Sequence, residues 1–167
     1  MCSLSCGGID KDSVLTQADI RFEEGDFQAA IRDYNRVLRE DPDVPRAYNN
    51  RGVAHLRLGE AVAAIADFDA AIARQRVYAE AYYNRGLARF QSGDLDGSIA
   101  DYSEALLQSP KYGKAWAGRG LARSKKGDLA SAMADFKMAL DASPADWPDR
   151  KAIEAELGKL EKARDGK

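Results

Sequence analysis

The chain has one histidine, His55, and two cysteines, Cys2 and Cys6, in 167 residues. A nucleophile activated by a histidine base would have to use His55. No serine or cysteine motif accompanies it. Three other copies of its position in the chain are arginines (Arg21, Arg89, Arg123), so His55 reads as a substituted helix residue. Cys2 and Cys6 are spaced C-x3-C with no second cysteine or histidine pair, which does not make a zinc set. The rest of the chain is free of cysteine, so no disulfide framework holds it. Carboxylates are plentiful, as on any helical surface, and no Gly-rich phosphate loop has the required spacing. The expectation is a protein with no catalytic residues, no metal and no cofactor.

Bulk properties narrow the class further. Hydrophobic residues make up 45% and charged residues 31%, with a formal net charge of −2. That balance carries no electrostatic signature for nucleic acid or an anionic membrane. No stretch approaches the roughly 20 apolar residues of a membrane span, and no secretory leader opens the chain. A soluble, cytoplasmic protein is expected. A leader removed before Met1 would make it periplasmic or membrane-tethered, since Leu4-Ser5-Cys6-Gly7 bears a faint likeness to a lipoprotein cleavage site with its leucine misplaced.

The elements that position every side chain repeat. Gly25, Gly59, Gly93 and Gly127 are 34 residues apart, each followed by an acid: Asp26, Glu60, Asp94, Asp128. Gly52, Gly86 and Gly120 form a second series, and Asp33, Asp67, Asp101 and Asp135 a third. Four repeats result, 11–44, 45–78, 79–112 and 113–146. Within each, apolar residues recur every three or four positions, as Leu95, Ile99, Tyr102, Ala105 and Leu106 do, which is a helical period. The glycine–acid pair sits where one helix must stop and the next begin. Pro42, Pro110 and Pro144 close repeats, because proline cannot donate the continuing hydrogen bond. Each repeat is therefore two antiparallel helices.

The columns Tyr82, Gly86, Ala88, Gly93-Asp94, Ser98-Ile99, Tyr102, Ala105-Leu106 and Pro110 resemble the tetratricopeptide repeat, and the resemblance runs over residues 11–146. The small residues let the paired helices approach and the aromatics fill the gaps. The first repeat departs most, with Val14 for the aromatic and Ala18 for the glycine. The resemblance implies an all-α, right-handed superhelical solenoid of antiparallel helix pairs. Residues 1–10 are expected to be a flexible N-terminal segment and 147–167 a capping helix and tail. Ile153, Leu157 and Leu160 give the cap its apolar face, which an open solenoid needs. Trp147 is expected to pack within it.

The column before the second glycine series holds Arg51, Arg85 and Arg119. Counting pairs these with aspartates of the preceding repeat, Asp33 with Arg51, Asp67 with Arg85 and Asp101 with Arg119, leaving Asp135 for the cap. Such pairs would be structural and would fix register.

The resemblance also implies that the first helix of each repeat lines an inner, concave face that takes a peptide. On that face the second repeat places Asn49, Asn50, Val53 and Leu56, the third Tyr83, Asn84, Leu87 and Phe90, and the fourth Lys114 and Lys125. Asn50 and Asn84 share a column, and an amide can both donate to and accept from an extended backbone. The groove centre is apolar, which marks a partner site. Acids of the first repeat (Asp12, Asp19, Glu23) and lysines of the fourth form a gradient that could orient a peptide. Family members that clamp an acidic chaperone tail use a set of which only Asn84 and Lys114 match here, so that co-chaperone role is not expected. The reading is an interaction scaffold for a protein or peptide. Its rivals are a self-assembling homo-oligomer and a regulatory subunit of an enzyme.

Overall fold

The structure, a computed structural model, describes residues 10–166. Cys2, Cys6 and all but the last residue of the expected flexible segment lie outside the described residues. Among those described, nine helices and no strand are found: α1 (Lys11–Glu23), α2 (Phe27–Glu40), α3 (Pro45–Arg57), α4 (Ala61–Arg74), α5 (Ala79–Gln91), α6 (Leu95–Gln108), α7 (Gly113–Lys126), α8 (Leu129–Ala142) and α9 (Arg150–Arg164). The chain divides after Gln75 into two compact units. In the N-terminal unit α1 packs on α2, α2 on α3 and α3 on α4. The C-terminal unit continues the pattern from α5 to α9. Within each unit the first helices of successive pairs also touch, α1 with α3 and α5 with α7.

One turn chemistry makes all four hairpins. Gly25, Gly59, Gly93 and Gly127 have φ of 83°, 78°, 85° and 89°, the left-handed region that glycine enters without steric cost. The residue after each glycine bonds back to the closing helix. The amide of Asp94 reaches the Arg89 carbonyl at 2.9 Å, and that of Asp128 the Arg123 carbonyl at 3.0 Å. The same acid then caps the next helix. The amides of Ala29, Gly97 and Ser131 donate to Asp26, Asp94 and Asp128 at 3.0, 2.9 and 3.2 Å. Glu60 does not cap α4, and its carboxylate bonds to His55 instead.

Helix approach is set by the second glycine series. A Cβ on Gly52 or Gly120 would stand 2.7 Å from the ring of Phe68 or Phe136, and one on Gly86 would stand 3.0 Å from Tyr102. Each ring is fully or almost fully buried. The last pair is covered by α9: Trp147 and Ile153 join Ala117, Ala132, Phe136 and Ala139 in one cluster, with Leu157 and Leu160 packed against it. The cap helix begins at Arg150, after a turn in which the amide of Trp147 bonds to the Pro144 carbonyl.

Two glycine substitutions should separate these roles. Gly120→Ala should lower the unfolding free energy by about 1–3 kcal/mol, because Phe136 is boxed in. Gly93→Ala meets no atom within 4 Å. It should cost roughly 1 kcal/mol through φ alone. Urea denaturation measures both, and Phe136→Leu should recover part of the first loss and none of the second.

Candidate partner-binding site

The face left for a partner depends on what the pairs consume internally. Arg119 Nε and Nη2 bond Asp135 at 3.0 and 2.8 Å, and Arg85 Nη2 bonds Asp101 at 2.6 Å. Arg51 Nε bonds Asp67 at 2.8 Å. The carboxylate partner is thus in the same repeat, and the expected pairing with the preceding repeat is incorrect. Counting misled because a second arginine column shares the aspartates. Arg89 reaches Asp101 and Arg123 reaches Asp135, both at 2.8 Å. Asp33 is taken by Arg21, with Arg36 at 3.5 Å, and Asp135 is filled without the cap. The first arginine column does reach back within each unit, to neutral oxygens. Arg51 bonds Asn35, and Arg119 bonds Ser103 at 2.9 Å. Arg119 also lies 4.6 Å from the Trp116 ring centre.

In the second repeat His55 stands in the second arginine column. Its Nε2 is 3.8 Å from Asp67 and its Nδ1 is 2.6 Å from Glu60.

In the N-terminal unit the inner residues are largely engaged with one another. Asn49 is buried and its amide donates to Asn50 at 3.2 Å. Asn50 in turn donates to Asp19 at 2.9 Å. Asp19 also accepts the Tyr34 hydroxyl at 2.7 Å and pairs with Arg46. Burial, followed by the Asp19 hydrogen bond, pushes the Tyr34 hydroxyl above its ordinary pKa. One acid of the expected gradient is therefore already neutralised. Val53 and Leu56 are half-buried beside this network.

The C-terminal unit is different. Tyr83, Leu87 and Phe90 on α5 line a cavity of about 240 Å³ with Tyr102 on α6 and Lys114, Ala117, Gly118 and Leu121 on α7. The cap supplies the remaining wall: Trp147, Asp149, Ala152 and Ile153. The Tyr83 ring centre is 5.0 Å from Tyr112 and 5.8 Å from Tyr102. Burial raises the pKa of Tyr83, and the nearby Asp149 charge raises it further. Lys125 Nζ lies 5.2 Å from the Phe90 ring centre. Asn84 is buried and is not among the lining residues. The cavity thus joins Tyr83, Leu87, Phe90 and Lys114, and with them Ala117, Gly118 and Leu121 of the same expected inner face, to Tyr102, Trp147 and Ile153, expected to pack, and to Asp149 and Ala152, which were not expected. Trp147 and Asp149 could have been found by extending the 34-residue period, since a fifth repeat would begin at 147.

A model of the tetratricopeptide repeat matches residues 15–76, 63–112 and 83–146. The chain belongs to the tetratricopeptide repeat family. Members of this family mediate interactions between proteins. Among solved structures, a crystal structure of MamA is 30% identical, with a TM-score of 0.77, over 80% of this chain and 78% of that one. The first tetratricopeptide domain of Spaghetti (RPAP3), bound to the HSP90 peptide SRMEEVD, is 27% identical with a TM-score of 0.69, over 72% of this chain and 99% of that one. PilF of Pseudomonas aeruginosa is 18% identical with a TM-score of 0.81, over 93% of this chain and 69% of that one, a likeness of fold. The curated proteins contain no match. No described helix is long and apolar enough to cross a membrane.

If the arginine forks are internal clasps, Arg119→Ala should destabilise the protein by about 1–3 kcal/mol, because it strands a buried carboxylate. Adding Asp135→Asn should return part of that loss. Thermal and urea unfolding check both, and partner affinity measured well below the transition should stay unchanged.

Proposed function

We propose that the protein is a non-enzymatic scaffold that holds a segment of a partner protein, with the cavity between α5, α7 and α9 as its main anchor point. The observation that carries this reading is the convergence of Tyr83, Leu87 and Phe90 with the cap residues around one apolar recess. Recesses of this kind receive the anchoring side chains that dominate interface energies. Lys114 and Lys125 stand exposed near it, where charge steers encounter more than it sets affinity. Asn50 and Val53 belong to the second, more polar surface, on the N-terminal unit.

Capture from the protein's own lysate identifies the partner, and titrations of variants then test the site. Tyr83→Ala and Phe90→Ala should each weaken binding about tenfold or more, as loss of a buried aromatic anchor does. Lys125→Ala should chiefly lower the association rate and flatten its salt dependence. Silent Tyr83 and Phe90 variants, with binding lost on changing exposed residues of α6 or α8, would end this reading. The self-assembly alternative predicts mass that grows with concentration in light scattering of the pure protein.

A further inference from the structure

The second helix of the first repeat carries arginines that the fold does not consume. Arg32, Arg36 and Arg39 stand four and three positions apart on α2, which sets them in one row about 10 Å long on one side of the helix. The opposite side, with Ala30, Tyr34, Val37 and Leu38, is buried in the core of the first pair. All three arginines are exposed. In the other three repeats the same columns hold alanine, leucine, methionine, glutamate or aspartate, and no basic residue.

Most guanidinium groups are held by the molecule itself. The clasp arginines bond the buried aspartates, and Arg46, Arg74 and Arg150 reach Asp19, the Pro42 carbonyl and the Leu140 carbonyl. Among the described residues Arg32 and Arg39 make no ion pair and no side-chain hydrogen bond. Arg36 approaches Asp33 at 3.5 Å, but that carboxylate is already taken by Arg21. Glu40, the exposed acid of α2, pairs with none of the three. The other second helix of this unit, α4, packs on α3 as α2 does, and its outer columns turn apolar. Val62 there is 86% exposed, and Ala66 and Ala73 are exposed with Asp69 among them.

We infer that the outer face of α2 docks an acidic amphipathic helix of a partner protein, at a surface distinct from the recess of the C-terminal unit. A row of cations along one helix axis matches a row of carboxylates at the same spacing on another, and an arginine fork takes a carboxylate through two parallel bonds. Val62 and Ala66 meet the aliphatic edge of the same helix. Exposed ion pairs are each worth little, so the apolar edge supplies part of the affinity and the row supplies orientation and a fast approach. Three cations fall short of the roughly four to eight that hold a protein on anionic lipid, and of the roughly six to ten phosphate contacts of a firm nucleic-acid complex. A protein helix, which offers carboxylates and aliphatic side chains together, fits both parts of the surface.

The test uses the full chain and a capped helical peptide of about 15 residues, with glutamates along one edge at the spacing of the arginine row and leucines along the adjoining face. A copy with glutamine for every glutamate is the neutral control. Amide-resolved NMR should show the acidic peptide shifting resonances of α2 between Arg32 and Arg39 and of α4 near Val62, with a Kd on the order of 0.1–1 mM at low salt. The glutamine copy should bind at least about fivefold more weakly. Replacing Arg32, Arg36 and Arg39 together by glutamine should weaken the acidic peptide about tenfold and leave the glutamine copy unchanged, and Val62→Ser should weaken both about threefold. These variants keep the fold, since each changes an exposed side chain, and their circular dichroism checks it. Tyr83→Ala should leave peptide binding unchanged, which separates this surface from the recess. Equal binding of the two peptides, indifference to the triple variant, shifts confined to α7 around Lys114 and Lys125, or no shift at about 5 mM peptide would overturn the inference. Oligothymidine or phosphatidylserine vesicles that bind through the same arginines more tightly than the peptide would also overturn it, and would make the row a phosphate-binding surface.

Discussion

The buried aspartate of each second helix is the constraint on which the rest depends. Asp101 and Asp135, each about 3% exposed at the side chain, accept two guanidinium groups from the first helix of the same pair. A carboxylate taken out of water is tolerated only when its lone pairs are filled, and a planar fork does this in one geometry. The fork therefore sets how far each pair slides and turns. It also uses up the arginines, so the face offered to a partner is defined by the residues that remain. In the second repeat a histidine takes the place of one arginine, and Glu60 leaves its capping role to meet it.

Those remaining residues differ between the two units. Around Tyr34 the inner surface is closed by its own polar network. Around Tyr102 the equivalent positions are Leu87 and Gly118, which carry no acid or amide and line the apolar recess. One repeat thus yields two surfaces while the left-handed glycine turns stay the same in both units. The cap has a double role for the same reason: Ile153 covers the last apolar face and also forms part of the recess wall.

The glycine ladder made the helices legible in the sequence, because a left-handed turn residue followed by a capping acid leaves little choice of element. Small residues at 52, 86 and 120 announced close helix approach for a comparable reason. The ion pairs were harder to read. Period 34 places Arg85 equally well beside either neighbouring aspartate, and only the antiparallel register of α5 and α6 decides for Asp101. The site was legible in part. Tyr83, Leu87, Phe90 and Lys114 follow from helix phase, whereas Asp149 belongs to a turn outside the four repeats. Asn49 and Asn84 show the limit of phase alone, since both sit at inner-face positions and are nevertheless buried by their neighbours.

The proposed function places the partner in the recess between α5, α7 and α9. A photo-crosslinking amino acid placed singly at Leu121, at Ala152 and at Leu107 tests it most directly. Leu121 and Ala152 line the recess and are exposed, and Leu107 is an exposed residue of α6 outside it. Crosslinks to the captured partner from positions 121 and 152, and none from 107, are the predicted result. Crosslinks from 107 with none from 121 or 152 would contradict the account.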